Sequence, residues 1–260
     1  MDKQAWPIGV FDSGLGGLTV VKEIIKLLPN ENIIYLGDTA RVPYGTRSNE
    51  VIKKFSLEDV NFLLSKDVKC IVIACHTSSA VAGDFLKKIF HNIPIFDVIS
   101  PILKKYKDNN NQIGVIGTGA TITSKVYSKL KNVVQQPCPL FVPLIEEGEV
   151  SGNLITLLAD KYLREMKNKK VKILILGCTH YPLISKVIVE VFPNVKLINP
   201  ATFVASELKD FLIKNNLVNA QKRIGKKSLY VTDLNNRFRE IAEMFLGEKL
   251  KGRVVKVNIN

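Results

Sequence analysis

The feature that most restricts how this 260-residue chain can fold is a stretch that occurs twice. Val68-Lys69-Cys70-Ile71-Val72-Ile73-Ala74-Cys75-His76-Thr77 and Val171-Lys172-Ile173-Leu174-Ile175-Leu176-Gly177-Cys178-Thr179-His180 each run from a charged step through an aliphatic segment to a small residue and then a cysteine close to a histidine. The offset between them is a constant 103 residues. An aliphatic run of this length, closed by polar groups, reads as a strand buried on both faces of a parallel sheet, with the cysteine at its carboxyl end. Open α/β sheets bind their ligands at that end.

The repeat reaches further. Ile8-Gly9-Val10-Phe11-Asp12-Ser13-Gly14 aligns with Ile113-Gly114-Val115-Ile116-Gly117-Thr118-Gly119 at an offset of 105, so a strand followed by a hydroxyl and a glycine also occurs twice. Two similar half-proteins are therefore expected. If they face each other about a pseudo-twofold axis, each supplies one cysteine and one glycine loop to a shared cleft, and two thiols flank one ligand.

Strands and helices alternate along the whole chain, which predicts an α/β protein of two pseudo-symmetric doubly wound domains with mostly parallel sheets and the active site in the cleft between them. In the first half the expected strands are 8–11, 33–36, the first cysteine strand and 94–98, with helices after the glycine loop and near 48–65 and 79–90. In the second half they are 113–116, 139–142, the second cysteine strand and 195–198, with helices near 100–107, 121–131, 151–167, 183–191 and 202–215. A last strand, 228–232, and helix, 235–246, have no partner in the second half and are assigned to the first. The division is then 1–98 plus 210–260 for the first domain and 99–209 for the second.

Composition narrows the class. A hydrophobic fraction of 46% is ordinary for a packed core. Met1 to Pro7 lead into a strand without an export signal, and no apolar run approaches membrane-spanning length, so a cytoplasmic location is expected. The charge of +13 raises the question of nucleic acid, but only seven of the 37 basic residues are arginine and the lysines sit in pairs such as Lys104-Lys105 and Lys226-Lys227, without a base-reading motif. A solvated lysine-rich surface is the simpler reading. The four cysteines form no CxxC pair and are read as reduced thiols. Cys70 lies inside a strand and Cys138 between two prolines, whereas Cys75 and Cys178 sit where strands open into polar residues.

Gly14-x-Gly16-x-x-Thr19 after a strand, with Asp38 ending the next, comes close to a dinucleotide fingerprint, although a threonine holds the third-glycine position. The narrower content is a loop whose backbone N–H groups can hold a phosphate or carboxylate. Without clustered arginine, paired loops and hydroxyls suit the two ends of a small dicarboxylate.

These residues resemble the cofactor-independent glutamate racemases. The resemblance covers nearly the whole chain through FDSGLGGLTV at 11–20, YLGDTARVPYG at 35–45, ACHTSSA at 74–80, GTGATITSKVY at 117–127, VPLIEEG at 142–148 and LGCTHYPLI at 176–184. The related aspartate racemases typically carry a glutamate after the second Cys-Thr and lack the Asp-Ser-Gly start, so His180 and Asp12 favour glutamate. The resemblance implies two-base racemisation: Cys75 takes the α-proton from D-glutamate and Cys178 takes it from L-glutamate, with Asp12 and His180 assisting the respective thiols. Ser13, Pro43, Tyr44, Gly45, His76, Thr77, Thr118, Thr121, Glu146 and Thr179 fall at substrate-contacting or site positions. It further implies no metal or pyridoxal cofactor, a homodimer, and D-glutamate made for peptidoglycan and cell shape.

One position departs from the family, where an asparagine usually follows the first cysteine. His76 keeps a hydrogen-bond donor but adds bulk and a group that titrates near neutrality. It opens the alternative of a related amino-acid racemase with altered substrate. Taken singly, Asp12 and Thr19 could cap a helix, Tyr44 could be a core aromatic, His180 could pack locally and Glu146 could be a solvated turn residue. From another class, Cys75, His76, Cys178 and His180 offer a Cys₂His₂ metal set, although adjacent ligands at one strand end make a tetrahedron difficult.

Overall fold

Each half turns four aliphatic segments into strands in the same spatial order. The computed structural model describes residues 3–250 and 254–259. The first half contains β1 (Ile8–Asp12), β2 (Ile33–Gly37), β3 (Cys70–Ile73) and β4 (Ile95–Asp97). The second contains β5 (Ile113–Gly117), β6 (Val133–Pro137), β7 (Ile173–Gly177) and β8 (Lys196–Ile198). Two further strands, β9 (Lys227–Val231) and β10 (Val254–Lys256), extend the first sheet, which runs β10-β9-β2-β1-β3-β4, while the second runs β6-β5-β7-β8. All pairs are parallel. The sequence repeat is therefore a repeat of topology: each cysteine strand lies beside the strand that leads into a glycine loop.

The central strands β1, β3, β5 and β7 are buried along their whole length, as continuous aliphatic strands must be when helices cover both faces. The helices are α1 (Leu18–Leu27), α2 (Asn49–Leu64), α3 (His76–Ile89), α4 (Ser100–Tyr106), α5 (Gly119–Thr123), α6 (Phe141–Glu146), α7 (Asn153–Asn168), α8 (Ser185–Val191), α9 (Pro200–Lys214) and α10 (Phe238–Leu246). Alternation along β1 splits the core. Ile8 and Val10 join a cluster that continues into Ile113, Val115 and Ile175 of the second half. Phe11 instead packs with Ile71, Ile73, Val60 and Leu63 on the opposite face. A buried ion pair anchors the entry to β3: Lys69 Nζ lies 2.5 Å from Glu31 Oε2 and also donates to the carbonyl oxygens of Gln4 and Leu217.

Three local expectations change. The second strand of the second half is 133–137 and not 139–142; the latter segment opens α6, where Phe141 and Ile145 bury one helical turn apart. A short apolar run does not by itself distinguish strand from helix, and Pro-Leu-Phe-Val was such a run. The helix expected over 121–131 is shorter. α5 ends at Thr123, Ser124 Oγ donates to the Thr121 carbonyl oxygen at 2.6 Å, and Lys125 turns left-handed before a 3-10 turn, Val126–Lys129. Local hydroxyl-to-backbone bonds of this kind compete with helix propagation. β10 was not anticipated. The division after 98 falls between β4 and α4, and that after 209 falls within the continuous α9. Residues 1–2, part of the segment on which the expected cytoplasmic location partly rests, lie outside the described residues. Among the described residues, no helix is long and apolar enough to cross a membrane.

Candidate active site

β1 and β3 deliver the first half of the site. Cys75 is the N-cap of α3: its backbone is extended, and its sulfur accepts the Ser78 N–H at 3.4 Å. The sulfur also lies 3.6 Å from the Ser13 hydroxyl, in the loop after β1. Burial, and then the negative charge of Asp12, push the Cys75 thiol up to about 11. Asp12 is itself buried, and desolvation raises its own carboxyl. Its Oδ2 accepts the Gly14 N–H at 3.1 Å, so it shapes the loop, as an aspartate before a helix commonly does. Among the described residues no hydrogen bond joins Asp12 to Cys75, and its charge opposes formation of the Cys75 thiolate.

The second half is the counterpart with one addition. Thr118, at the position equivalent to Ser13, caps α5 through its side chain, which accepts the Thr121 N–H at 3.3 Å. Cys178 follows β7, and its sulfur lies 3.7 Å from His180 Nδ1. His180 Nε2 is 2.9 Å from Glu146 Oε1. Burial disfavours the imidazolium, but the hydrogen bond and charge of Cys178, followed by those of Glu146, outweigh it and raise the His180 pKa. The ring also stands edge-on to Phe245 of α10, with centroids 4.8 Å apart. His180 is thus fixed on three sides, and Glu146 is not a freely solvated turn residue.

The halves touch through small residues. A Cβ on Gly16 would come within 2.4 Å of Thr179 Oγ1 and 2.6 Å of the His180 ring, so only glycine lets the first loop lie on the second cysteine's neighbours. Thr19 Oγ1 donates across the same boundary to the Thr179 carbonyl oxygen at 2.9 Å. On the other side Thr77 Oγ1 and Thr118 Oγ1 are 2.9 Å apart. The 43–45 loop follows a cis Val42-Pro43 peptide bond and buries Tyr44, while Gly45 packs where a Cβ would lie 2.9 Å from Thr118 Cβ.

These contacts enclose a cleft of about 300 Å³, a size suited to one small ligand. Its walls include Ser13, Pro43, Tyr44, Gly45, Cys75, His76, Thr77, Thr118, Glu146, Cys178, Thr179 and His180. Asp12 and Thr121, expected at the site, stand behind this wall, under the Gly14 turn and under Thr118 respectively. Sequence reasoning missed Val42, Pro139, Val142 and Pro143, which also line the cleft, and Cys138, read in the sequence only as lying between two prolines, reaches the wall too. Apolar residues in a loop and a short helix carry no sequence signal for such a position; only the packing of α6 against the second cysteine loop reveals them. Among the described residues, no lysine or arginine lines the cleft. Ligand carboxylates would meet hydroxyls, backbone N–H groups and the N-terminus of α3.

His76 corrects one expectation. It is buried on the cleft wall, and neither ring nitrogen has a hydrogen-bond partner among the described residues. Burial lowers its pKa to about 3, only partly opposed by the charge of Asp97. The ring is neutral near pH 7 and does not titrate in the mildly acidic range. Nor do the cysteines and histidines converge on a metal: among the described residues, no group of three or more His, Cys, Asp or Glu side chains is placed to hold one.

Residues 8–208 match the family described as Asp/Glu/Hydantoin racemase. A glutamate racemase of Thermoanaerobacter pseudethanolicus is 44% identical over 263 aligned residues, covering 97% of both chains. A crystal structure of the Francisella tularensis glutamate racemase in complex with D-glutamate superposes with a TM-score of 0.92 at 44% identity, covering 99% of each chain. That of the Thermus thermophilus glutamate racemase with beta-chloro-D-alanine gives 0.91 at 40% identity, covering 98% of this chain and 97% of the other.

Proposed function

The chain belongs to the Asp/Glu/Hydantoin racemase family and is a racemase, and we propose that it interconverts L- and D-glutamate by proton transfer between two cysteines on opposite sides of the α-carbon. The observation that carries this reading is that Cys75 and Cys178, which follow equivalent strands of the two halves, line the same cleft. Inverting an α-carbon requires a base on one face and an acid on the other. A pair of thiols supplies both in either direction, because the group that accepts a proton in one turnover holds the proton to be donated in the reverse one. The names of the relatives, and the D-glutamate in the Francisella complex, support glutamate as the substrate.

In this scheme the Cys75 thiolate takes the α-proton of D-glutamate while the Cys178 thiol donates to the other face, and the roles exchange for L-glutamate. The Cys178 side has its own proton relay. With Nε2–H donated to Glu146 and its pKa raised, protonated His180 places Nδ1–H beside the Cys178 sulfur, where it stabilises the thiolate and can return a proton to it. On the Cys75 side, the Ser78 N–H stabilises negative charge on sulfur, and Asp12 serves as a nearby proton acceptor. Ser13, Thr77, Thr118 and Thr179 hold the substrate's polar groups, and Thr121 supports them from behind. The 43–45 loop closes the wall. The reaction as drawn needs no metal or pyridoxal group. D-glutamate made this way would serve peptidoglycan synthesis in the cytoplasm, and we include homodimerisation in the proposal on the strength of the family resemblance.

The experiment is to supply the enzyme separately with both enantiomers of glutamate and of aspartate and to follow optical rotation. Racemisation of glutamate from both sides, with little or none of aspartate, is expected. Turnover of aspartate alone would favour the second reading, a related racemase with an altered substrate, to which the buried imidazole of His76 on the cleft wall lends specific weight.

A further inference from the structure

Behind the cleft, the hydroxyl of Tyr44 lies within hydrogen-bonding distance of two buried carboxyl groups. It donates to Asp38 Oδ2, and it stands 3.0 Å from Asp59 Oδ2. A phenol has one proton to give. Asp38 is already the acceptor in this group: its Oδ2 accepts from Arg41 Nε and its Oδ1 from the Thr232 hydroxyl at 2.8 Å. The Asp59 contact therefore has no proton from Tyr44 left to fill it.

We propose that Asp59 is a neutral carboxylic acid whose O–H donates to the Tyr44 oxygen, and that through this bond it is a positioning residue for the 43–45 loop of the cleft. The surrounding charge supports the assignment. Among the described residues, Arg41 is the cation whose charge acts on Asp59, and it is hydrogen-bonded to the carboxylates of Asp38 and Glu58. Asp59 Oδ1 lies 3.6 Å from Arg41 Nη2, at ion-pair distance, but neither atom has a hydrogen-bond partner among the described residues, so the guanidinium, already bonded to two carboxylates, does not hydrogen-bond a third. Burial, and next the charge of Asp38, raise the Asp59 carboxyl well above its ordinary value; Glu58 acts in the same sense, while Arg41 and the Tyr44 hydrogen bond oppose it. Tyr35, whose phenol feels the charge of Asp59, is buried and pushed up as well.

Asp59 also belongs to a larger support. One turn earlier on α2, Ser56 donates to Ser78 Oγ at 3.0 Å, and the Ser78 N–H is the donor to the Cys75 sulfur. One face of α2 thus braces both the loop that closes the cleft and the cap that holds the first thiol.

The effect on turnover rests on the glutamate reading above; the protonation state does not. Infrared difference spectra between wild type and Asp59→Asn at neutral pH should show the C=O stretch of a neutral carboxyl that is lost in the variant, and absence of that band would overturn the proposal. An amide can donate the same bond, so Asp59→Asn should keep nearly the wild-type KM. Asp59→Ala should raise KM roughly tenfold, with kcat changed less, because it removes one buried hydrogen bond. If Asp59→Asn loses as much as Asp59→Ala, the O–H is not what positions the loop. Should Asp59→Ala fail to fold, the spectrum and the kinetics of Asp59→Asn still decide. A wild-type enzyme without glutamate turnover would defeat the functional reading and leave the infrared result standing.

Discussion

His180 approaches the Cys178 sulfur through Nδ1 at 3.7 Å, whereas the sulfur of Cys75 meets only Ser13 and Ser78 among the described residues. The two thiols occupy equivalent places in the fold but not equivalent surroundings. Replacing His180 with asparagine should therefore remove a proton relay from one side alone, and kcat/KM should fall by about 100-fold, the lower range for a lost acid–base group. Both directions must lose the same factor, because two enantiomers have equal free energy. The asymmetry will appear in the separate kcat and KM values, and Glu146→Gln should show a weaker form of it.

Each thiol is acid in one direction and base in the other. Cys75→Ser and Cys178→Ser should each abolish most racemisation both ways while leaving circular dichroism and the unfolding midpoint close to wild type. By contrast Cys70, inside β3 and held to about 12 by burial, should tolerate serine for catalysis as long as the protein folds. Near-normal rates in either of the first two variants would remove that cysteine from the mechanism.

The pH dependence of stability should report His76. Its pKa is lowered to about 3 in the folded protein, while the unfolded chain has the ordinary value of about 6.5. As pH falls below about 6.5 the unfolded state takes up a proton that the folded state refuses, so this contribution is full above that pH and declines from there towards about 3. The unfolding midpoint of wild type should therefore drop more steeply on acidification than that of His76→Asn. Equal slopes would mean that the imidazole is protonated in place.

Gly16 tests the seam between the halves. Gly16→Ala puts a methyl group against Thr179 and His180, and overpacking of this kind costs about 1–3 kcal/mol. Its effect on kcat should exceed its effect on stability, since the atoms displaced adjoin Cys178. Gly83→Ala is the control: it lies within α3, nothing stands within 4 Å of the added carbon, and the change should stabilise by about 0.5–1 kcal/mol.

Much of this was legible in the chain. The duplicated cysteine strands and glycine loops identified the central strands of both sheets, because a strand buried on both faces has to be aliphatic throughout. The weaker signals lay where packing, and not periodicity, decides. Residues 139–142 are as apolar as a strand, yet Phe141 and Ile145 are drawn into one turn of helix against the second cysteine loop. His76 looked like a group that titrates near neutrality, but burial without a hydrogen-bond partner is a property of the fold and cannot be read from an adjacent cysteine. Asp59 carried no signal at all, since only folding brings α2 against Tyr44.

The central claim is that two thiols exchange the α-proton with solvent from opposite faces, and the most direct measurement is isotopic. Enzyme should be given L-glutamate in D₂O, and the first D-glutamate formed should be examined by mass spectrometry. Product carrying one deuterium at the α-carbon from the start of the reaction, with little label in the remaining L-glutamate, is the predicted result. D-glutamate that retains its original proton throughout the initial rate would contradict the account.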